Sequence, residues 1–265
     1  MVKLLVGKPI AEKIKEEIRD RIQSLKLKPV LASIVVGENA GAISYAKSQQ
    51  RLADELGIEY CLRALPQDAA ESQIIELIQK LNNDQNVNGI IIGMPLPKQI
   101  DGKSISRFIS RNKDIEGVNS PVVAAVMELI KTSGVDLYGK EVVVVGYSEI
   151  VGKLLVFLLL DKFATVTVCH IGTSKAGRLE EHVRRAEVLI VAVGKAGLIK
   201  GEWIKEGAVV IDVGINCVGD KIVGDVEFES AQKRASFITP VPGGVGPLTV
   251  AILMRNLVEA TQAQQ

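Results

Sequence analysis

Short, almost wholly apolar runs recur along this chain with amphipathic stretches between them, and that alternation limits the fold more than any other feature. Val30–Val36 reads V-L-A-S-I-V-V and stops at Gly37, Gly89–Ile92 reads G-I-I-I and runs toward Pro95 and Pro97, and Glu141–Val145 reads E-V-V-V-V. Strands that lack polar alternation are buried on both faces, as in a parallel sheet covered by helices. Ile10, Ile14, Ile18 and Ile22 recur at every fourth residue among charges, which predicts a helix over 11–25 with one buried stripe. Further helices are predicted over 44–56, stopped by Gly57, and over 71–81, with a strand over 58–63 between them.

Periodicity lapses near 113–121 and then restarts. From Val122 a helix leads into a strand over 141–145, a helix over 150–160, a strand over 165–169, a helix over 179–185 and strands over 188–193 and 209–213. Right-handed crossovers of this length give an open, doubly wound sheet of Rossmann type. The expected fold is therefore a two-domain α/β protein. Residues 1–120 form the first domain, completed by a C-terminal helix within 247–265, and residues 121–246 form the second. The helix over 150–160 is apolar nearly all round, so its second face needs cover, from a homodimer contact through the Rossmann domain or from an unusually deep core.

A chain of 265 residues can bury two modest cores. Its 32 basic and 31 acidic residues nearly cancel, which argues against nucleic acid or a membrane surface as partner and for a small molecule. Cys61, Cys169 and Cys217 are odd in number and widely spaced, so neither a zinc site nor a disulfide framework is expected and the thiols read as reduced, in a cytoplasmic protein. The first residues lack a signal peptide's apolar core, and no stretch of about 20 apolar residues could span a bilayer.

Two glycine-bearing segments stand out. Thr239–Thr249 reads T-P-V-P-G-G-V-G-P-L-T; three prolines fix φ while three glycines allow close approach, and a plain turn into a helix needs only one of each. Pro242, Gly243 and Gly244 are accordingly candidates for a ligand-facing wall. Gly146–Gly152 reads G-Y-S-E-I-V-G between a strand and a helix, where Gly146 permits the turn, the helix amino terminus offers N–H groups to a pyrophosphate and Gly152 lets the helix pack on the strand. A βαβ turn without nucleotide is the plain alternative. His170, Ile171 and Thr173 end the next strand, with neither an acid for a ribose hydroxyl nor a fixed cation for a 2′-phosphate, so NAD and NADP stay open. His170 can stack on adenine or donate to a phosphate, or be a structural strand end. Val193–Gly194 and Gly214–Ile215–Asn216 end later strands and should line the same crevice.

Over almost its whole length the chain resembles the bifunctional methylenetetrahydrofolate dehydrogenase and methenyltetrahydrofolate cyclohydrolase family. The resemblance rests on V-G-E-N-A-G-A-I-S-Y at 36–45, P-L-P at 95–97, K-D-I-E-G at 113–117, G-Y-S-E-I-V-G at 146–152, G-E-W-I-K-E-G-A-V-V-I-D-V-G-I-N at 201–216, V-G-D-V at 223–226 and the loop at 239–249. It implies hydride transfer from a methylene-bridged tetrahydrofolate to NADP or NAD, then hydrolysis of the methenyl cation, in a cleft between the domains. It also implies cofactor contacts at Gly146, Tyr147, Ser148, Val151, Gly152, His170, Ile171, Thr173, Val193, Gly194 and Ile215, and no metal.

Several family positions carry other residues. The family's substrate Tyr is Tyr45, but the Lys four positions later is Gln49; i and i+4 share a helix face, and an amide cannot shuttle a proton as an amine can. Lys47 lies about 200° away around the helix and is no substitute. The family Gln is Gly93, which removes an amide and should leave space, the family Asp is Glu116, and the family Ser three residues before the Tyr is Ala42. On the cofactor side the Arg that faces the NADP phosphate is Tyr147 and the Ser after Cys-His is Ile171. The segment after Gly117 is short, with Asn119-Ser120-Pro121 in place of the family's C-T-P run. The expectation is a dehydrogenase, with Tyr45 and Gln49 at the catalytic positions and Tyr45, Gly93, Glu116, Pro242, Gly243 and Gly244 about the substrate, whose cyclohydrolase activity is lost or impaired. Open alternatives are an inactive paralogue that binds a pterin-like ligand or a partner, and a dehydrogenase for another one-carbon carrier.

Overall fold

The computed structural model describes residues 2–117, 119–219 and 221–265, which group into two units, Glu12–Pro121 with Val250–Gln265, and Met1–Ala11 with Val122–Thr249. The chain begins with β1 (Lys3–Leu4) and α1 (Lys8–Ser24), then β2 (Val30–Val36), α2 (Ala40–Leu56), β3 (Glu59–Leu65), α3 (Glu71–Asn83), β4 (Gly89–Ile92) and a short α4 (Gly102–Ser106). β2 lies between β3 and β4 and parallel to both. All seven of its residues are buried, which is why the run has no polar alternation. Ile34, Ile74, Ile78 and Ile90 are fully enclosed in the core beside it, each contributing about 1.5–3 kcal/mol by burial. α2 starts four residues before the predicted Ser44, because the Asn39 side chain accepts from the Ala42 N–H at 3.1 Å and caps the first turn. It stops at Gly57, whose φ of 72° suits glycine.

The second unit continues with α5 (Pro121–Ser133), β5 (Glu141–Val145), α6 (Gly152–Leu160), β6 (Thr165–Cys169), α7 (Ile171–Lys175), α8 (Leu179–Arg185), β7 (Val188–Val191) and β8 (Val209–Asp212). An antiparallel hairpin of β9 (Asn216–Val218) and β10 (Lys221–Val223) follows, then α9 (Phe228–Ala231), β11 (Phe237–Ile238) and α10 (Val245–Ala263), which runs on into the first unit. The parallel sheet has the order β1-β11-β8-β7-β5-β6. Strand order reverses at β5, which lies between β6 and β7, and in open sheets ligands bind outside the carboxyl ends of the strands at such a reversal.

Two expectations need correction. Residues 1–11 group with the second unit instead of the first, because β1 pairs with β11 and the Gly7 N–H donates to Gly243 O at 2.9 Å. A two-residue strand carries no periodicity to reveal this. The deep-core alternative for the apolar helix also fails. In α6, Leu155 and Leu159 are fully buried while Phe157, Leu158 and Leu160 are 68%, 41% and 50% exposed, so an apolar face remains uncovered beside β6, an edge strand of the sheet.

Candidate functional site

Tyr45 and Gln49 stand one turn apart on α2. The Tyr45 hydroxyl is buried without a hydrogen-bond partner among the described residues. Burial pushes its pKa well above the ordinary phenol value and the charge of Glu116 pushes it further; the Gln49 amide opposes them, without hydrogen-bond geometry, and the charge of Tyr60 adds a smaller rise. Gln49 is fully buried, and its Oε1 accepts from Ser33 Oγ on β2 at 3.0 Å and from Tyr60 Oη on β3 at 3.2 Å. Two hydroxyl donors at the carbonyl fix the amide's orientation.

Glu116 completes this group. Burial, then the charge of Asp114, raises its pKa to about 7. Asp114 Oδ1 accepts from the Glu116 and Gly117 N–H groups at 3.2 and 2.8 Å, and Asn256 on α10 donates to the carbonyls of Ile115 and Asn119 at 2.9 and 2.7 Å. The carboxylate is thus held by its backbone, leaving its oxygens available. The charges that act on Tyr45 include no lysine. Lys113, the nearest in sequence to Glu116, donates Nζ to the carbonyls of Leu81 and Asp84 at the end of α3, at 3.0 and 2.6 Å, and Lys47 is exposed.

Gly93 follows β4 and lies against β2 and the start of α2. A Cβ there would meet Ile34 O at 3.3 Å, Val35 Cγ2 at 3.4 Å and Ala42 Cβ at 3.6 Å, so the missing side chain and the Ala42 position lie against each other. Pro242, Gly243 and Gly244 belong to the other unit. Pro242 is exposed and follows a cis peptide bond; Gly243 has φ 112°, and Gly244 N–H donates to Pro240 O at 2.8 Å. A Cβ on Gly7 would lie 2.0 Å from Gly244 O, so part of this loop's glycine content serves close backbone packing.

The remaining candidates lie at the carboxyl edge of the second sheet. A Cβ on Gly146 would lie 2.3 Å from Ala192 O, and one on Gly152 would lie 2.4 Å from Gly146 O, so both glycines are needed to close the β5–α6 turn. Ser148 Oγ accepts from the Gly152 N–H at 3.4 Å, and Val151 is the buried residue that precedes α6. His170 Nδ1 accepts from the Gly172 N–H at 3.0 Å, and Thr173 Oγ1 accepts from the His170 N–H at 3.2 Å, a reciprocal cap on α7. Tyr147, Ile171, Val193 and Ile215 expose 57%, 72%, 45% and 62% of their surface. Apolar side chains this open at the end of a parallel sheet are suited to planar rings.

Sequence reading missed the residues that build this edge. Asp225 Oδ2 accepts from the Val193 and Gly194 N–H groups at 2.7 and 2.9 Å, and its Oδ1 accepts from the Lys195 N–H and Asn216 Nδ2, both at 2.8 Å. Asp212 accepts from the N–H groups of Gly214, Asp225 and Val226 at 2.9, 3.1 and 2.9 Å. Burial raises its pKa to about 6, against those three bonds and with the charge of Asp225 adding to the rise. A Cβ on Gly214 would lie 2.2 Å from Asp225, and one on Gly224 1.9 Å from Asp212. The D-V-G and G-D-V runs carried that signal, each setting an acid within two residues of a glycine. Ser33 is the lone hydroxyl in an apolar strand, but its partner lies on another element.

No cluster of potential metal ligands occurs among the described residues, and no described helix is long and apolar enough to cross a membrane. Residues 5–116 match the tetrahydrofolate dehydrogenase/cyclohydrolase catalytic domain and residues 120–265 match that family's NAD(P)-binding domain. The bifunctional protein FolD of Acetivibrio thermocellus is 47% identical over 99% of this chain and 98% of its own. The crystal structure of the bifunctional FolD methylenetetrahydrofolate dehydrogenase/cyclohydrolase from Campylobacter jejuni superposes with a TM-score of 0.91 at 38% identity, covering all of both chains. That of the Trypanosoma brucei enzyme, complexed with NADP cofactor and inhibitor, gives 0.93 at 33% identity over 99% of this chain and 98% of its own. Matched at both units over nearly every residue, the chain belongs to the tetrahydrofolate dehydrogenase/cyclohydrolase family.

Proposed function

We propose that this protein is an NAD(P)-dependent methylenetetrahydrofolate dehydrogenase that has lost, or nearly lost, methenyltetrahydrofolate cyclohydrolase activity. The observation that carries this reading is the buried, unpartnered Tyr45 hydroxyl with an amide one turn later where an amine would be needed. A buried hydroxyl left unpaired costs about 1–3 kcal/mol, which a ligand polar atom would offset. Tyr45 and Glu116 would bind and orient the reduced pterin, the carboxylate accepting from its N–H groups.

The β5–α6 turn and the start of α6 would hold the dinucleotide pyrophosphate, with Ile171, Val193 and Ile215 against its rings. Bound nicotinamide supplies a hydride acceptor. Of the protein, hydride transfer asks mainly that the two carbons be held together, and positioning supplies much of that. Hydrolysis of the methenyl product asks more. A water must lose a proton as it adds, and a ring nitrogen must gain one as the carbon–nitrogen bond opens. The Gln49 amide, with its carbonyl engaged by Ser33 and Tyr60, has no proton to relay near neutral pH.

Purified protein supplied with methylenetetrahydrofolate and NAD or NADP should form reduced nicotinamide above background. Binding of folate without turnover would instead support the inactive paralogue. A second reading has one observation in its favour: Glu116, with a pKa of about 7, is poised to take the proton itself. Methenyl hydrolysis that rises through pH 7 and disappears in Glu116→Gln would establish it. The exposed face of α6 beside edge strand β6 supports a homodimer; light scattering that finds a monomer at micromolar concentration would defeat that.

A further inference from the structure

We propose that the carboxyl end of β6 makes this protein select NAD over NADP. The inference rests on reading this sheet edge as a dinucleotide site. In a doubly wound sheet the adenosine ribose is inspected at the end of the strand after the glycine turn, where a 2′-phosphate needs a fixed cation. That strand is β6, and its end carries His170 and Ile171.

The surface there is aromatic and apolar. The Tyr147 and His170 rings meet edge to face with centroids 5.8 Å apart, and Ile171 beside them is 72% exposed. His170 offers no fixed charge toward a ligand, because Nδ1 caps the Gly172 N–H. Three of the cations nearby have contacts of their own. Lys153 Nζ sits 4.4 Å from the Tyr147 ring centroid and is paired with Glu149. Arg178 pairs with Glu181 at 3.3 Å, and Arg185 contacts Thr167 Oγ1 at 3.1 Å and His182 Nδ1 at 2.9 Å. Lys175, one helical turn past Ile171, is exposed. A lone solvated lysine contributes little, whereas charge-assisted hydrogen bonds are roughly twice as strong as neutral ones. A dianionic phosphate placed against Ile171 and the rings would lose water and gain no bidentate partner, while a ribose hydroxyl loses far less.

Fluorescence titration of the whole protein with NADH and NADPH tests this without catalysis. We expect NADH to bind at least tenfold more tightly. We also expect Tyr147→Arg combined with Ile171→Ser to tighten NADPH at least tenfold while changing NADH by less than threefold. Equal or tighter NADPH binding by the unmodified protein, or binding of neither nucleotide, overturns the proposal. A folded double variant that gains nothing for NADPH removes the assignment to these two side chains. NADH binding without oxidation of methylenetetrahydrofolate leaves the selection standing and defeats only the dehydrogenase reading.

Discussion

Asp212 and Asp225 accept three and four hydrogen bonds, whereas the Tyr45 hydroxyl is buried with no partner and Glu116 accepts no hydrogen bond from the described residues. Asp212, Asp225 and the Tyr45 hydroxyl are buried, and Glu116 is half-buried. The acids in the Rossmann unit are satisfied by the chain itself and so build the scaffold, while those around Tyr45 are held by their backbones and left open, as groups reserved for a ligand are.

The largest effect should come from breaking the satisfied side. Asp225→Ala leaves three backbone N–H groups and the Asn216 amide without their acceptor and should cost about 3–5 kcal/mol, read by urea unfolding. Gly224→Ala drives a methyl group into Asp212 and should cost about 1–3 kcal/mol in the same measurement. The open side should respond in the opposite sense. Tyr45→Phe should leave stability unchanged or raise it by up to about 1 kcal/mol, because it removes an unpaired hydroxyl, yet it should weaken folate binding at least tenfold by calorimetry. A Tyr45→Phe protein that unfolds as readily as Asp225→Ala would erase the distinction.

A smaller effect follows pH. Glu116 has its folded pKa raised from 4.5 to about 7, so the folded state holds its proton more tightly than the unfolded one. The stability this contributes is fully present below about pH 4.5 and is lost as pH rises to about 7. Unfolding midpoints of the unmodified protein relative to Glu116→Gln should therefore fall between pH 4.5 and 7 and level off above. A difference that stays flat across that range would mean the carboxyl group is solvated.

Much of this was legible because burial writes itself into sequence. β2, β4, β5, β6 and α8 occupy the predicted residues, since runs such as V-L-A-S-I-V-V suit only a strand covered on both faces. Short or side-chain-held elements were not legible. β1 and β11 are two residues long, and β7 ends at Val191 in place of the predicted 193, where the Val193 N–H turns to the Asp225 side chain. At the site, helix spacing placed Gln49 one turn from Tyr45, but nothing local showed that Ser33 and Tyr60, on two neighbouring strands, would grip its carbonyl.

The central claim is that an amide at position 49 leaves methenyl hydrolysis without a proton relay. Its most direct test is the rate of methenyltetrahydrofolate hydrolysis by the unmodified protein and by Gln49→Lys, in which the Ser33 and Tyr60 hydroxyls can turn to accept from the new amine. We expect the uncatalysed rate for the first and at least a tenfold rise for the second, with the fold intact in both. Rapid hydrolysis by the unmodified protein would contradict it.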